Sequence, residues 1–154
     1  MGDPERTWRV TRLHHVAFAH CGDDVPQRLA DLLGLPCVAE ERADGFVERM
    51  LPAGDSFVQL LEATGPGVVG RFLDRRGPGL HHIAVEVSDL DEAVADLLAR
   101  GVRMVDQAPR PGVMGTQIAF VHPVASAGLL VELVGQAQAQ ASVAGPEDQI
   151  ARRS

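Results

Sequence analysis

Two stretches of the chain share one order of apolar and polar residues at a fixed offset. Leu13–His20 reads LHHVAFAH and Leu80–Val87 reads LHHIAVEV, so that His15 precedes His82 by 67 positions. Short apolar runs with β-branched residues are typical of strands. Self-similarity at a fixed offset indicates a repeated structural unit. We therefore predict strands at residues 13–19 and 80–87 and a chain built from two copies of one unit.

A helix is predicted after each of these two strands, because the apolar residues that follow are spaced three or four apart. The first helix starts at Val25, with Pro26 in its first turn, and Gly34 ends it in a left-handed conformation. The second helix starts after Asp89, which forms a capping box with Glu92, and a glycine again ends it.

Short strands complete each copy and give an α+β fold of two paired βαβββ modules. The modules span residues 10–63 and 79–135. Because each is too short to bury much core alone, we expect one domain with a shared site. Residues 1–9 are predicted to be a loose leader and residues 136–154 a disordered tail. The remaining elements are predicted as strands at 37–41, 46–51, 56–61, 102–106, 117–121 and 129–134 and a short helix at 69–75.

The composition narrows the classes of function. The chain has 154 residues, of which 45% are hydrophobic, as expected for one packed domain. A net charge of −7 and an isoelectric point near 5.3 argue against nucleic acid as the main partner. Cys21 and Cys37 have neither metal-site nor disulfide spacing, which favours a cytoplasmic location. No apolar run reaches the ~18 residues that cross a bilayer, so no membrane partner is expected.

Four polar residues occupy matched positions of the two modules and are expected to converge. His15 and His82 share a repeat position, and Gln59 and Glu132 each lie on the last strand of a module. Because side chains alternate along a strand, the members of each pair take equivalent faces. Two imidazoles, an amide oxygen and a carboxylate suit a divalent metal ion with open positions for water or substrate.

The other histidines are interpreted as core or surface residues without a role in the site. His14 and His81 are predicted to point away from it, because they precede the matched histidines on their strands. His20 and His122 receive the same interpretation. Glu132 differs from them, since it lies in an apolar run where a carboxylate is costly unless it is paired or bound to metal.

Glu48 is a candidate general base. It shares a strand face with Phe46 and Met50, and an apolar environment would raise its pKa toward neutrality. The alternative is a surface carboxylate paired with Arg49 or Arg42, and the sequence favours neither interpretation over the other.

Six motifs carry a resemblance to a known family. They are Leu13–Ala17, Val58–Glu62, Gly79–Ala84, Pro109–Gly112, Ile118–Pro123 and Gly128–Leu133. Together they resemble the vicinal oxygen chelate (glyoxalase/bleomycin resistance) superfamily, and within it the methylmalonyl-CoA epimerases. Two positions depart from the family pattern. Val124 stands where a lysine usually follows His-Pro, and Leu29–Leu32 replaces a stretch with an aromatic pair in the first helix.

The resemblance implies an isomerase with one divalent metal ion, Co²⁺ first and Mn²⁺, Ni²⁺ or Zn²⁺ as alternatives. It implies metal ligands at His15, Gln59, His82 and Glu132, and a catalytic glutamate at Glu48. The implied reaction interconverts (R)- and (S)-methylmalonyl-CoA by 1,1-proton transfer through an enediolate stabilised by the metal. Glu48 would take the proton from one face, and Glu132 or a bound water would return one on the other. We also expect a homodimer with an acyl-CoA substrate.

Three other functions are compatible with this fold. A glyoxalase I-like lyase or isomerase uses similar chemistry but usually has a glutamate where this chain has Gln59. A metal-free protein that binds an antibiotic usually loses the ligand residues, and this chain keeps all four. An iron dioxygenase would need only two histidines and a glutamate, which leaves Gln59 unexplained.

Overall fold

The structure, a computed structural model, describes residues 6–22 and 24–136. It contains eight strands and three helices within these residues, with two further short 3₁₀ turns. In chain order they are β1 Val10–His20, α1 Val25–Leu33, β2 Ala39–Ala43, β3 Phe46–Ala53, β4 Ser56–Ala63, α2 Val68–Arg76, β5 Gly79–Val87, α3 Leu90–Ala99, β6 Arg110–Pro111, β7 Gln117–Val121 and β8 Leu130–Gly135.

The strand order of the sheet reproduces the repeat seen in the sequence. All eight strands form one sheet in the order β2-β3-β4-β1-β5-β8-β7-β6. In each module the first strand pairs in parallel with the last, while β1 and β5 pair antiparallel at the centre. The predicted α+β fold of two βαβββ modules is therefore confirmed. The arrangement brings the two His-His motifs onto adjacent central strands.

The helices cover opposite faces of the sheet. We call the face that carries His15 and His82 the site face. Helix α3 packs Leu90 and Val94 against the opposite face of module 2, in a cluster that includes Val87 and Leu133. Burial of a leucine or valine side chain contributes about 1.5–3 kcal/mol. Helix α2 packs instead on the site face of module 1, where its buried Val69 contacts a cluster of strand residues. Helix α2 thus forms one wall of the site.

The helix ends follow the sequence signals. Gly34 ends α1 with φ 65°, in the left-handed region where glycine is favoured. Asp89 caps α3 by accepting a hydrogen bond from the backbone N–H of Glu92 at 3.0 Å. The short bridging helix predicted at residues 69–75 is α2.

The strand predicted at residues 102–106 is wrong. Only Met104 makes a β-bridge, to Val121. The backbone N–H groups of Val105 and Asp106 both donate to the carbonyl of Phe120, so the segment cannot continue a ladder. The module's second strand is instead the two-residue β6, where Pro111 lacks the N–H that a longer ladder needs.

The prediction of a loose leader over residues 1–9 is wrong for Trp8. The Trp8 side chain is buried in the core of module 2, and its Nε1–H donates to Asp96 at 2.9 Å. The predicted disordered tail lies outside the described residues except for Gln136, whose side chain donates to Glu86. Within the described part of the chain, no helix is long and apolar enough to cross a membrane.

Candidate functional site

The register of the central strands places the four matched polar residues in two neighbouring rows. In one row, Ala17 of β1 lies between Gln59 of β4 and His82 of β5. In the adjacent row, Ala84 of β5 lies between His15 of β1 and Glu132 of β8. The two alanines are fully buried and occupy equivalent repeat positions. Their small side chains leave space above the sheet into which the larger neighbours converge.

Three of these residues bring potential ligand atoms together. The Nε2 atoms of His15 and His82 are 3.1 Å apart. Oε2 of Glu132 lies 2.8 Å from Nε2 of His82 and 3.4 Å from Nε2 of His15. All three side chains are buried. Nitrogen and oxygen atoms that bind one metal at about 2.0–2.2 Å lie about 3 Å from each other, so this spacing fits a single divalent ion.

Gln59 offers a further side-chain oxygen, whose hydrogen-bonding requirement is unmet. Its side-chain N–H donates to Oε2 of Glu48 at 2.8 Å. Its Oε1 is buried and has no hydrogen-bond partner among the described residues. A buried amide oxygen without a partner is destabilising unless a donor or a cation satisfies it. The three clustered residues therefore fit a divalent metal ion, and the unpartnered oxygen of Gln59, which lines the same cavity as His82 and Glu132, is available as a further donor.

The protonation states of the cluster also suit a cation. Burial alone would raise the pKa of Glu132, but hydrogen bonds from His15 and His82 lower that pKa to about 2. Burial lowers the pKa of His82, which favours its neutral form. A metal ion requires ionised carboxylates and neutral imidazoles, and these shifts favour both.

His14 and His81 lie on the site face, and the prediction that they point away from it is wrong. The β1–β5 ladder contains one extra residue at His14 on β1 and another at His81 on β5. Such bulges break the strict alternation of side chains and re-aim the extra residue. Nδ1 of His14 lies 2.8 Å from Nδ1 of His15, and Nδ1 of His81 lies 2.9 Å from Nδ1 of His82.

The two bulged histidines can fix the tautomers of their neighbours. If Nε2 of His15 is to bind a metal, its Nδ1 carries the proton and donates it to His14. Burial, followed by the charge of the neighbouring histidine, lowers the pKa of His14 and of His81 to about 4, so both remain neutral acceptors. The alternation of side chains along the repeat does not predict these contacts, because a bulge is a property of the strand pairing.

Glu48 faces the same cavity as the ligand cluster. The cavity has a volume of about 500 Å³, and Gln59, His82 and Glu132 also line it. Burial, with the charges of Glu41 and Glu132, raises the pKa of Glu48 to about 7, although Arg110 opposes the shift. A carboxyl group with this pKa is suited to accept a proton near neutrality.

The alternative of a surface ion pair for Glu48 does not describe the structure. Arg49 binds Glu40 and Glu62, and Arg42 binds Glu40 as well. Glu48 instead accepts a hydrogen bond from Gln59. The carboxylate thus lies within the site and not among the surface pairs.

Arg110, which lies in the Pro109–Gly112 motif, is a cation of the cavity that the sequence pattern did not single out. It forms an ion pair with Asp106 at 3.0 Å, and its guanidinium lies 5.4 Å from the ring centre of Phe120. Asp106 also accepts a hydrogen bond from the backbone of Phe120. The PRPG motif could have suggested a fixed arginine, because two prolines restrict the backbone around it.

Fold and site together define a chain of the vicinal oxygen chelate type, and comparisons with known proteins agree. Residues 38–120 match the family described as Glyoxalase/Bleomycin resistance protein/Dioxygenase superfamily. The chain belongs to this superfamily, and its relatives place it beside the methylmalonyl-CoA epimerases. The predicted resemblance to that branch is confirmed.

Three of these relatives show how far the similarity extends. The human mitochondrial methylmalonyl-CoA epimerase is 30% identical over 82% of this chain and 74% of its own. The crystal structure of the Mycobacterium tuberculosis methylmalonyl-CoA epimerase is 37% identical, with a TM-score of 0.78 over 88% of this chain and 92% of that one. A methylmalonyl-CoA epimerase in complex with methylmalonyl-CoA and NH₄⁺ is 35% identical, with a TM-score of 0.78 over 84% of this chain and 97% of that one.

Proposed function

We propose that this protein is an isomerase that interconverts the two epimers of methylmalonyl-CoA by moving the α-proton. The enzyme class is supported by the epimerases among its relatives, one of which has methylmalonyl-CoA bound. The observation on which the proposal rests is that one cavity holds both the buried donors of His82 and Glu132 and the raised-pKa carboxyl group of Glu48. Proton abstraction beside two carbonyl groups needs both a base and stabilisation of negative charge.

His15, Gln59, His82 and Glu132 are proposed to hold one divalent metal ion, with Co²⁺ as the first candidate. A divalent ion there supplies Lewis-acid stabilisation of the charge that develops when the α-proton leaves. The buried, convergent donor atoms and the unpartnered Oε1 of Gln59 support this assignment.

Glu48 is proposed to accept the α-proton from one face of the substrate. Its hydrogen bond from Gln59 fixes the carboxylate, and its raised pKa keeps it able to accept and return a proton near neutrality. A proton is returned to the opposite face by Glu132 or by a water molecule beside it. The lowered pKa of Glu132 makes it a weak base, which favours water.

Two features support further parts of the proposal. Helix α1 leaves Leu32 and Leu33 exposed, which supports a homodimer that covers apolar surface. Cys21 and Cys37 are both exposed and unpaired, which supports a reducing, cytoplasmic location. Size-exclusion chromatography with light scattering tests the dimer, and a molar mass near that of one chain would contradict it.

The direct test is proton exchange in deuterium oxide. The purified protein, reconstituted with Co²⁺, is mixed with each methylmalonyl-CoA epimer, and the α-proton is followed by NMR. We expect loss of the α-proton signal together with interconversion of the epimers. A matched assay uses the hemithioacetal of glutathione and methylglyoxal. Turnover of that substrate, without exchange in methylmalonyl-CoA, would replace the epimerase proposal with a glyoxalase I-like activity.

A further inference from the structure

A second cavity, here called the arginine groove, opens beside the site. It has a volume of about 360 Å³ and lies between helix α2 and the loops of module 2 that flank β7 and β8. His81, Arg110 and Phe120 line both this groove and the site cavity. The site cavity and the arginine groove are therefore adjacent, and a ligand whose reactive end lies near Glu48 is next to the groove.

The groove is basic although the protein as a whole is acidic. Arg71, Arg75 and Arg76 of α2 line it together with Arg110, and no acidic side chain is among its lining residues. The net charge of the chain is −7. A cluster of arginines in an acidic protein concentrates positive potential at one place and attracts anions there.

The three arginines of α2 differ from most others in the described structure in having no acidic partner. Within residues 6–22 and 24–136, no ion pair or side-chain hydrogen bond involves Arg71, Arg75 or Arg76. The arginines that do pair there include Arg12, Arg28, Arg42, Arg49 and Arg110. Because Arg71 and Arg75 are four residues apart on one helix, their like charges destabilise it slightly. Arg75 and Arg76 also lie in the last turn, where the helix dipole favours cations.

The helix dipole explains why cations in the last turn stabilise α2. It does not explain why the arginines are grouped around a groove. Arg71 lies a full turn before that end, in the middle of the helix. The rest of the wall is apolar and includes Phe72, Leu80 and Leu129. An apolar wall with cations suits an amphipathic, anionic ligand.

We propose that Arg71, Arg75 and Arg76 bind the phosphate groups of the CoA portion of the substrate. This inference rests on the proposed epimerase function and adds the residues that recognise the nucleotide end of the thioester. Guanidinium groups bind phosphate through paired, charge-assisted hydrogen bonds, and they keep their charge at any physiological pH. Phe72 and Phe120 contact the apolar part of the pantetheine arm in the same groove.

The departure of this chain from the family pattern at Val124 is consistent with this assignment. The side chain of Val124 is 67% exposed and carries no charge. The neighbouring Pro123 lines the arginine groove. In this chain, the loop after β7 contributes no cation to the groove, and α2 contributes three arginines.

The test compares two substrates that differ in whether they carry the nucleotide with its phosphates. One is methylmalonyl-CoA and the other is the methylmalonyl thioester of pantetheine, which lacks the nucleotide. Binding that is equal in the ground and transition states raises KM without changing kcat when it is lost. We expect Arg71→Gln/Arg75→Gln to raise KM for methylmalonyl-CoA roughly tenfold, with kcat and the kinetics on the pantetheine thioester unchanged. The KM of the wild-type protein for methylmalonyl-CoA should also rise with salt, and the KM for the pantetheine thioester should not.

The control is Arg9→Gln, which removes one charge near Ser88, at the far end of β5 from Leu80. It should leave both substrates unaffected. If the double variant unfolds at a lower temperature but keeps its KM for methylmalonyl-CoA, the arginines only stabilise α2 and the inference is overturned. Equal KM values of the wild type for both substrates would overturn it as well. If the wild type acts on neither substrate, the epimerase proposal itself fails.

Discussion

The two modules share one plan of strands but differ in how their helices pack. Helix α3 buries Leu90, Ala93 and Val94 against its sheet. None of the nine residues of α1 is buried, and the side chain of Leu32 is 77% exposed. An apolar cavity of about 620 Å³, lined from α1, β1 and β4, separates this helix from its strands. The matched ligand rows thus depend on the paired central strands and not on equivalent packing of the two helices.

The modules also differ at the position of the proposed base. Glu48 of β3 pairs with Leu61, two residues beyond Gln59. The equivalent position of module 2 is Ile118, which pairs with Val134, two residues beyond the other ligand. The repeat therefore gives symmetric rows of proposed ligands, but a carboxylate at this position in module 1 only. Because module 2 has an apolar residue at this position, the proposed return of a proton to the opposite face of the substrate falls to Glu132 or to a water molecule.

The largest expected effect is loss of the metal from either half of the ligand set. We expect His15→Ala and His82→Ala each to abolish stoichiometric metal binding, because each removes one of the buried ligand nitrogens. Metal content after dialysis, measured by inductively coupled plasma mass spectrometry, checks this. The control His122→Ala changes a histidine whose ring accepts a bond from Val124. Metal retained by only one of the two ligand variants would show that the modules contribute unequally.

The next largest effect is expected at Glu48, the proposed base that has no counterpart in module 2. Glu48→Gln keeps the shape of the side chain but cannot accept a proton, so turnover should fall roughly 10²- to 10⁴-fold. Metal content should not change. The matched control is Glu62→Gln, since Glu62 binds Arg49 away from the cavity. Exchange of the α-proton with deuterium oxide, followed for each epimer by NMR, shows which face is affected. Wild-type exchange rates for both epimers would contradict the assignment of Glu48.

The unequal helices give the third prediction, on stability. Leu90→Ala leaves a cavity in the core of module 2 and should lower the free energy of unfolding by about 2–5 kcal/mol. Leu32→Ala, the same change on α1, should alter the free energy of unfolding by no more than about 0.5 kcal/mol at protein concentrations that keep the chain monomeric. Urea denaturation followed by circular dichroism measures both. A loss for Leu32→Ala that grows with protein concentration would show that α1 is covered in the proposed homodimer. A loss in the monomer comparable with that of Leu90→Ala would contradict the exposure of α1.

The sequence predicted what depends on repetition and alternation. The offset between the His-His motifs predicted the paired modules, and parity placed Gln59 and Glu132 on the site face. Parity failed at His14 and His81, because bulges depend on how two distant strands align. The pattern also could not distinguish α1 from α3, since Leu29 and Leu32 repeat the spacing of a buried helix. Whether an amphipathic face is covered depends on tertiary packing, which local periodicity does not specify.

The smallest effect tests whether the two bulges are equivalent. His14 and His81 contact the Nδ1 atoms of the ligand histidines, so His14→Ala and His81→Ala should keep the metal and bind it about 10- to 100-fold more weakly. Competition with a chromophoric chelator measures this affinity without an activity assay. His14→Asn and His81→Asn, which can still offer an acceptor, should recover part of the loss. His20→Ala is the control, because His20 contacts the backbone of Gly22 and no ligand. If the alanine variants bind metal as tightly as the wild type, the bulged histidines only fill space. If only one of the two alanine variants weakens metal binding, His14 and His81 are not equivalent, although the ligand rows are symmetric.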